Sequence, residues 1–134
     1  MDELPDWKPG TPAALCVHGP HAIPVSTATR ASGHRIVFAL ARRRETLARL
    51  REHPAAALCF LGEGIAFTAE GPAQVIREEL EASPHVAAVE LRVTRIQDHL
   101  ADGRTEMLDG ARWSFTSEEA AEADAALRRE LAGL

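Results

Sequence analysis

From residue 11 to residue 97 the chain breaks into about six short extended runs parted by Gly and Pro, and this rhythm limits the folds open to it. Residues 11–17 are apolar and bounded by turn formers. Gly19–Pro20 reverses the chain. Residues 21–29 carry the β-branched Ile23, Val25, Thr27 and Thr29 at alternate positions. Pro24 interrupts that run; it cannot donate to a ladder and so marks an edge or a bulge. After a turn at Gly33, residues 35–40 place Ile36, Phe38 and Leu40 on one face. Residues 55–61 are wholly apolar, as in a buried strand, and residues 62–64 form a hairpin turn. Residues 65–76 read as a long strand bent at Gly71–Pro72. In residues 86–97, Val89, Leu91 and Val93 alternate with Glu90, Arg92 and Thr94. Short strands at this spacing predict a barrel or sandwich rather than a parallel α/β sheet.

Two segments change period. Residues 43–52 are good helix formers, with Leu47 and Leu50 three apart, and His53–Pro54 stops them. Residues 117–132 follow a capping-box pattern at residues 116–119 and carry a stripe of Ala120, Ala123, Leu127 and Leu131 that continues to Leu134. A further short helix is expected at residues 77–83. The expected fold is mainly β: a barrel or sandwich of about six antiparallel strands, a helix between the third and fourth, and a C-terminal helix. Residues 1–134 make one domain in this reading.

Composition excludes several function classes. Net charge is −5, so the basic footprint of a nucleic-acid binder is missing, and aromatic residues are only 4% with no Tyr, which leaves few rings to stack on bases. No run approaches the ~18 apolar residues of a membrane span, and the acidic N-terminus lacks a signal-like apolar stretch, so a cytoplasmic location is expected. Cys16 and Cys59 lie in apolar runs without metal-ligand spacing and are expected in the core. His18 and His21 flank a turn too loosely for a metal site, while His21 is a candidate beside a bound ring. His34, His53 and His85 read as exposed. Trp113 is expected to anchor the last helix, its alternative being a ring beside a bound cofactor.

The ordered set of Gly19–Pro20, His21, Pro24–Val25, Gly33, Ile36 to Leu40, His53–Pro54, the apolar run 55–61 and "AFTAEGPAQVI" (66–76) resembles the pyridoxamine-5′-phosphate-oxidase-like FMN-binding split-barrel family over residues 11–97. The resemblance implies that the barrel is a split β-barrel, and that the protein is a homodimer with flavin at the subunit interface. It puts Pro24, Val25, Ser26 and Thr27 along the ring, and Arg42, Arg43, Arg44 and Thr46 at the phosphate. Counting back from Pro54 sets Leu40, Arg44, Glu45 and Thr46 at positions where the family carries Thr, Ser, Arg and Lys. Arg44 is the one cation of the four, with Arg30, Arg42 and Arg43 close in sequence. An arginine fork suits a phosphate, and the N–H groups at a helix start add to it.

The expected function is therefore FMN binding, with a flavin-dependent oxidoreductase as the leading activity and a deazaflavin coenzyme as a second cofactor. The alternative is a non-catalytic split-barrel dimer that binds a different anionic ligand (deazaflavin or haem) or none. A third reading makes the dimer surface itself the function.

Overall fold

The computed structural model describes residues 1–134. Eight antiparallel strands and two helices follow in the order β1 (Ala13–Val17), β2 (His21–Val25), β3 (Thr29–Ser32), β4 (Arg35–Ala41), α1 (Glu45–Glu52), β5 (Ala55–Gly62), β6 (Ile65–Arg77), β7 (Val86–Arg92), β8 (Arg95–Asp98) and α2 (Glu118–Ala132). The sheet runs β2-β1-β5-β6-β7-β4-β3, with β8 pairing β6. The two ends of this path, β2 and β3, are consecutive in the chain and do not pair with each other. The barrel is split between them. No helix is long and apolar enough to cross a membrane.

β6 holds the two halves together. Its first part pairs β5 and β8, and its last part, from Ala73, pairs β7. The change of partner falls at Gly71–Pro72. A Cβ at Gly71 would run into the carbonyl oxygen of Arg92, where β7 ends, so glycine is required there by close backbone approach. The same handover splits the run 86–97 in two. β7 leaves the sheet after Arg92, Val93 N–H donates to His34 O, Thr94 N–H donates to Glu70 O, and β8 resumes on the first half of β6.

The run 21–29 splits as well. Residues 26–28 carry the chain from one edge of the sheet to the other. Beyond Thr29 the β4 edge has no strand to pair with, and Thr27 Oγ1 accepts the Ala39 N–H in place of a backbone carbonyl (2.9 Å). That takes the count from about six strands to eight. α1 begins at Glu45, two residues later than the helix formers start, because residues 42–44 form the turn out of β4. No helix forms at 77–83. Glu78, Glu79 and Glu81 crowd like charges there, and Glu130 of α2 accepts from the N–H groups of Glu81 and Ala82 (2.9 and 2.8 Å) instead.

The barrel interior is built mainly from aliphatic residues, with Phe60 and Phe67 stacked at 4.7 Å and Trp7 against Phe60 at 4.4 Å. A small second core of Val37, Leu80, Ala88 and Leu131 lies under α2. The cysteines are not in either. The β1 and β5 registers turn Leu15 and Leu58 inward, which leaves Cys16 exposed and Cys59 half-buried on the outer face. In α2 the expected stripe holds at Leu127, Leu131 and Leu134, which pack on the second core, but Ala123 is exposed and its neighbour Asp124 is buried. The capping box reduces to one bond, Ala120 N–H to Ser117 Oγ (3.1 Å), because the third helical position is Ala120 rather than an acid.

Candidate functional site

Where the barrel is split, the edges of β2 and β4 and the flank of α2 enclose a cleft of about 420 Å³. Pro24, Val25, Ser26 and Thr27 line it from the end of β2 and the crossing segment. Arg44 lines it from the start of α1. Trp113 lines it on one side, and Asp124 and Leu127 line it from α2.

The polar groups fall into two places. Arg44 is the N-cap residue of α1 and supplies no side-chain cap. It is the one residue of the α1 start that lines the cleft, and it stands next to the first N–H groups of the helix, which have no intrahelical partner. Elsewhere in the cleft, Ser26 donates to Asp124 Oδ1 (2.6 Å) and Arg128 Nε donates to Asp124 Oδ2 (2.8 Å). Thr27 is buried and already accepts from Ala39. The body between them is apolar, made of Ile23, Val25, Leu40, Val86 and Leu127.

The eight residues expected from the sequence thus separate. Pro24, Val25, Ser26, Thr27 and Arg44 share one cavity. Arg42 does not line it; its guanidinium pairs with Glu79 (3.0 Å) and reaches Pro84 O. Arg43 is exposed in the turn before α1. Thr46 faces inward, 1% exposed, with its hydroxyl bonded to His21 Nε2 (2.9 Å). That bond ties the start of β2 to α1, and His21 does not line the cleft. Glu45 turns away to Arg49, whose guanidinium holds the Glu45 carboxyl below its ordinary range through a hydrogen bond and its charge.

Sequence reasoning missed Asp124. Its partner Ser26 is 98 positions away, and a lone acid among Ala and Glu reads as part of a solvated helix face. Trp113 was expected to anchor α2. It is 44% exposed, donates to Gly10 O (3.3 Å) and lines the cleft, while Leu131, Asp124 and Glu130 anchor the helix.

No family model matches the chain, and no curated protein matches it. Solved structures do. HupZ of Group A Streptococcus superposes with a TM-score of 0.59 at 12% identity, covering 75% of this chain and 90% of that one. An F420 reductase superposes with a TM-score of 0.56 at 11% identity over 66% of this chain and 90% of its own. A pyridoxamine 5′-phosphate oxidase-related, FMN-binding protein of Nostoc punctiforme gives 0.56 at 9% identity, covering 65% and 73%. At these identities the likeness is one of fold, and the fold of this chain is the split β-barrel of these structures.

Proposed function

We propose that the cleft binds a flavin, FMN in the first instance, and that the chain is a cytoplasmic flavin-dependent oxidoreductase working as a homodimer. The observation that carries this reading is the meeting, in one cavity, of the segment 24–27 with Arg44 at an uncapped helix start. Arg44 and the N–H groups of α1 would hold the phosphate, with Arg43 beside them. Segment 24–27 would lie along the ring. A cavity of this size suits a cofactor with an apolar body and a few placed polar groups. The redox chemistry would belong to the flavin, with the protein supplying binding, orientation and exclusion of water.

A second reading keeps the fold and removes FMN. It is favoured by the Thr46 hydroxyl being taken by His21 and by an acid, Glu45, at the first position of α1. Such a protein would bind a deazaflavin, another anionic ligand or none. Titration with FMN followed by flavin fluorescence decides between them. Saturable micromolar-or-tighter binding is expected, weakened about tenfold or more in Arg44→Ala, as loss of a charge-assisted phosphate contact implies. Arg42→Ala should leave it unchanged. Tighter binding of a deazaflavin would move the assignment to that cofactor, and no binding of either would sink the oxidoreductase reading.

A further inference from the structure

A second cavity of about 700 Å³ lies on the other side of Trp113, between the segments 7–12 and 108–113 and over the β5–β6 hairpin. Its walls are pinned. Trp7 is locked in the core stack and donates to Ala28 O (2.9 Å). Thr11 folds back on Lys8 O through its N–H (3.1 Å) and its hydroxyl (2.6 Å). On the facing wall, Gly64 N–H donates to Met107 O (2.8 Å). Gly110 lies so close to β5 that any Cβ would collide with the Leu61 carbonyl. The Trp113–Gly10 bond joins the two walls. This groove is held open by bonds within the protein, so a ligand need not order it.

Its lining is unusual for surface. Leu61, Leu108 and Trp113 are 47%, 76% and 44% exposed and all face the groove. Exposed apolar groups gathered in one groove and rimmed by polar residues mark a binding site, whereas singly scattered ones do not. The charges are placed unevenly. Arg112 shares Asp109 at 3.8 Å, whereas Lys8 on the N-terminal wall and Glu63 on the hairpin are in no ion pair.

We propose that this groove is a second ligand site, for a flat aromatic molecule carrying one acidic group. The ring lies against Trp113 and Leu108, and the acid turns to Lys8. Glu63 on the hairpin opposes a second acid. The site stands whether or not the cleft holds a flavin, since the two cavities meet only at Trp113.

The test uses the full chain and two probes with the same ring system, anilinonaphthalene sulfonate and neutral phenylnaphthylamine. Energy transfer from tryptophan reads binding directly, because both tryptophans line the groove. One sulfonate probe per chain is expected, bound roughly threefold or more tighter than the neutral one, the size of one exposed ion pair. Lys8→Ala should erase that difference, and Leu108→Ser should weaken both probes. Both side chains are exposed, so the variants should keep the wild-type melting curve. Arg44→Ala should change nothing. Binding at several sites, no binding, binding untouched by Lys8→Ala and Leu108→Ser, or binding lost in Arg44→Ala would each overturn the proposal.

Discussion

A carboxylate with 8% of its surface exposed must find donors, and Asp124 finds the Ser26 hydroxyl and Arg128. Asp124→Ala leaves a half-buried guanidinium and a hydroxyl without their acceptor. The expected cost is about 1.5–3 kcal/mol, the range for hydrogen bonds to charged groups. Ser26→Ala should cost about 1 kcal/mol, because Arg128 still holds the acid. Urea unfolding of both singles and the double measures this, and the double should fall short of the sum, since the two residues share one bond. The outer-face thiols make a different prediction. Partial desolvation of the thiol against the sheet face first, and the neighbouring Cys59 second, push the exposed Cys16 thiol above its ordinary value of 9.0. Alkylation of Cys16 should therefore be slow near neutral pH and faster at the same pH in Cys59→Ser, as mass spectrometry of labelled peptides would show. Neither environment was legible in the sequence. An apolar run does not say which of its two faces is inside, so both cysteines were expected in the core. The turn of α2 that buries Asp124 is fixed by contacts with β3 and β4, far away in the chain.

Helix α2 illustrates how local and tertiary terms divide an element. Ser117→Ala removes the one side-chain cap and should cost about 1 kcal/mol. Leu131→Ala opens the small core against Val37, Leu80 and Ala88 and should cost about 2–4 kcal/mol. Thermal melts of the two variants should therefore be well separated. Around α1 the ties are electrostatic: Arg49 holds Glu45 within the helix, and Arg51 holds Glu78 beyond β6 (2.8 and 2.7 Å). Both carboxyls are held below 4.5, in each case chiefly by the hydrogen bond from the arginine. The folded state thus binds fewer protons than the unfolded chain in that range. These ties contribute above the unfolded carboxyl range and are lost as pH falls through the lowered folded values. Glu78→Gln should lower neutral-pH stability slightly, because the pair is exposed, and leave stability below the lowered folded value unchanged, so that the acid limb flattens by that same small amount. The strands were legible from alternation and turn residues, and so was the order of elements. Where strands end was not. Two of the runs cross from one sheet partner to another without losing their apolar period, and only the Gly71 contact and the Thr27 bond show where they break.

At the scale of the molecule, the outer face of β2, β1 and β5 is the surface still unaccounted for. Small apolar residues cover it: Ala14, Cys16, Ala22, Pro24, Ala57 and Cys59. The register places Ala14 opposite Pro24 on one side and opposite Cys59 on the other, at the middle of the patch. A flat face without charge on a sheet that ends in an unpaired edge strand invites a second copy. The face is continuous with the cleft, because Ile23 and Pro24 border both. If the proposed dimer forms here, each partner also covers the open side of the other's cofactor site. Ala14→Glu tests both ideas at once. Its side chain points to solvent in the single chain, so folding by circular dichroism should be unchanged. An uncompensated carboxylate at the centre of an interface should convert a wild-type dimer to monomer by sedimentation. FMN affinity should drop with it. A wild-type monomer at tens of micromolar protein, or a dimer indifferent to Ala14→Glu, would place the contact elsewhere. Loss of the dimer with full FMN affinity would show that the cleft is complete within one chain.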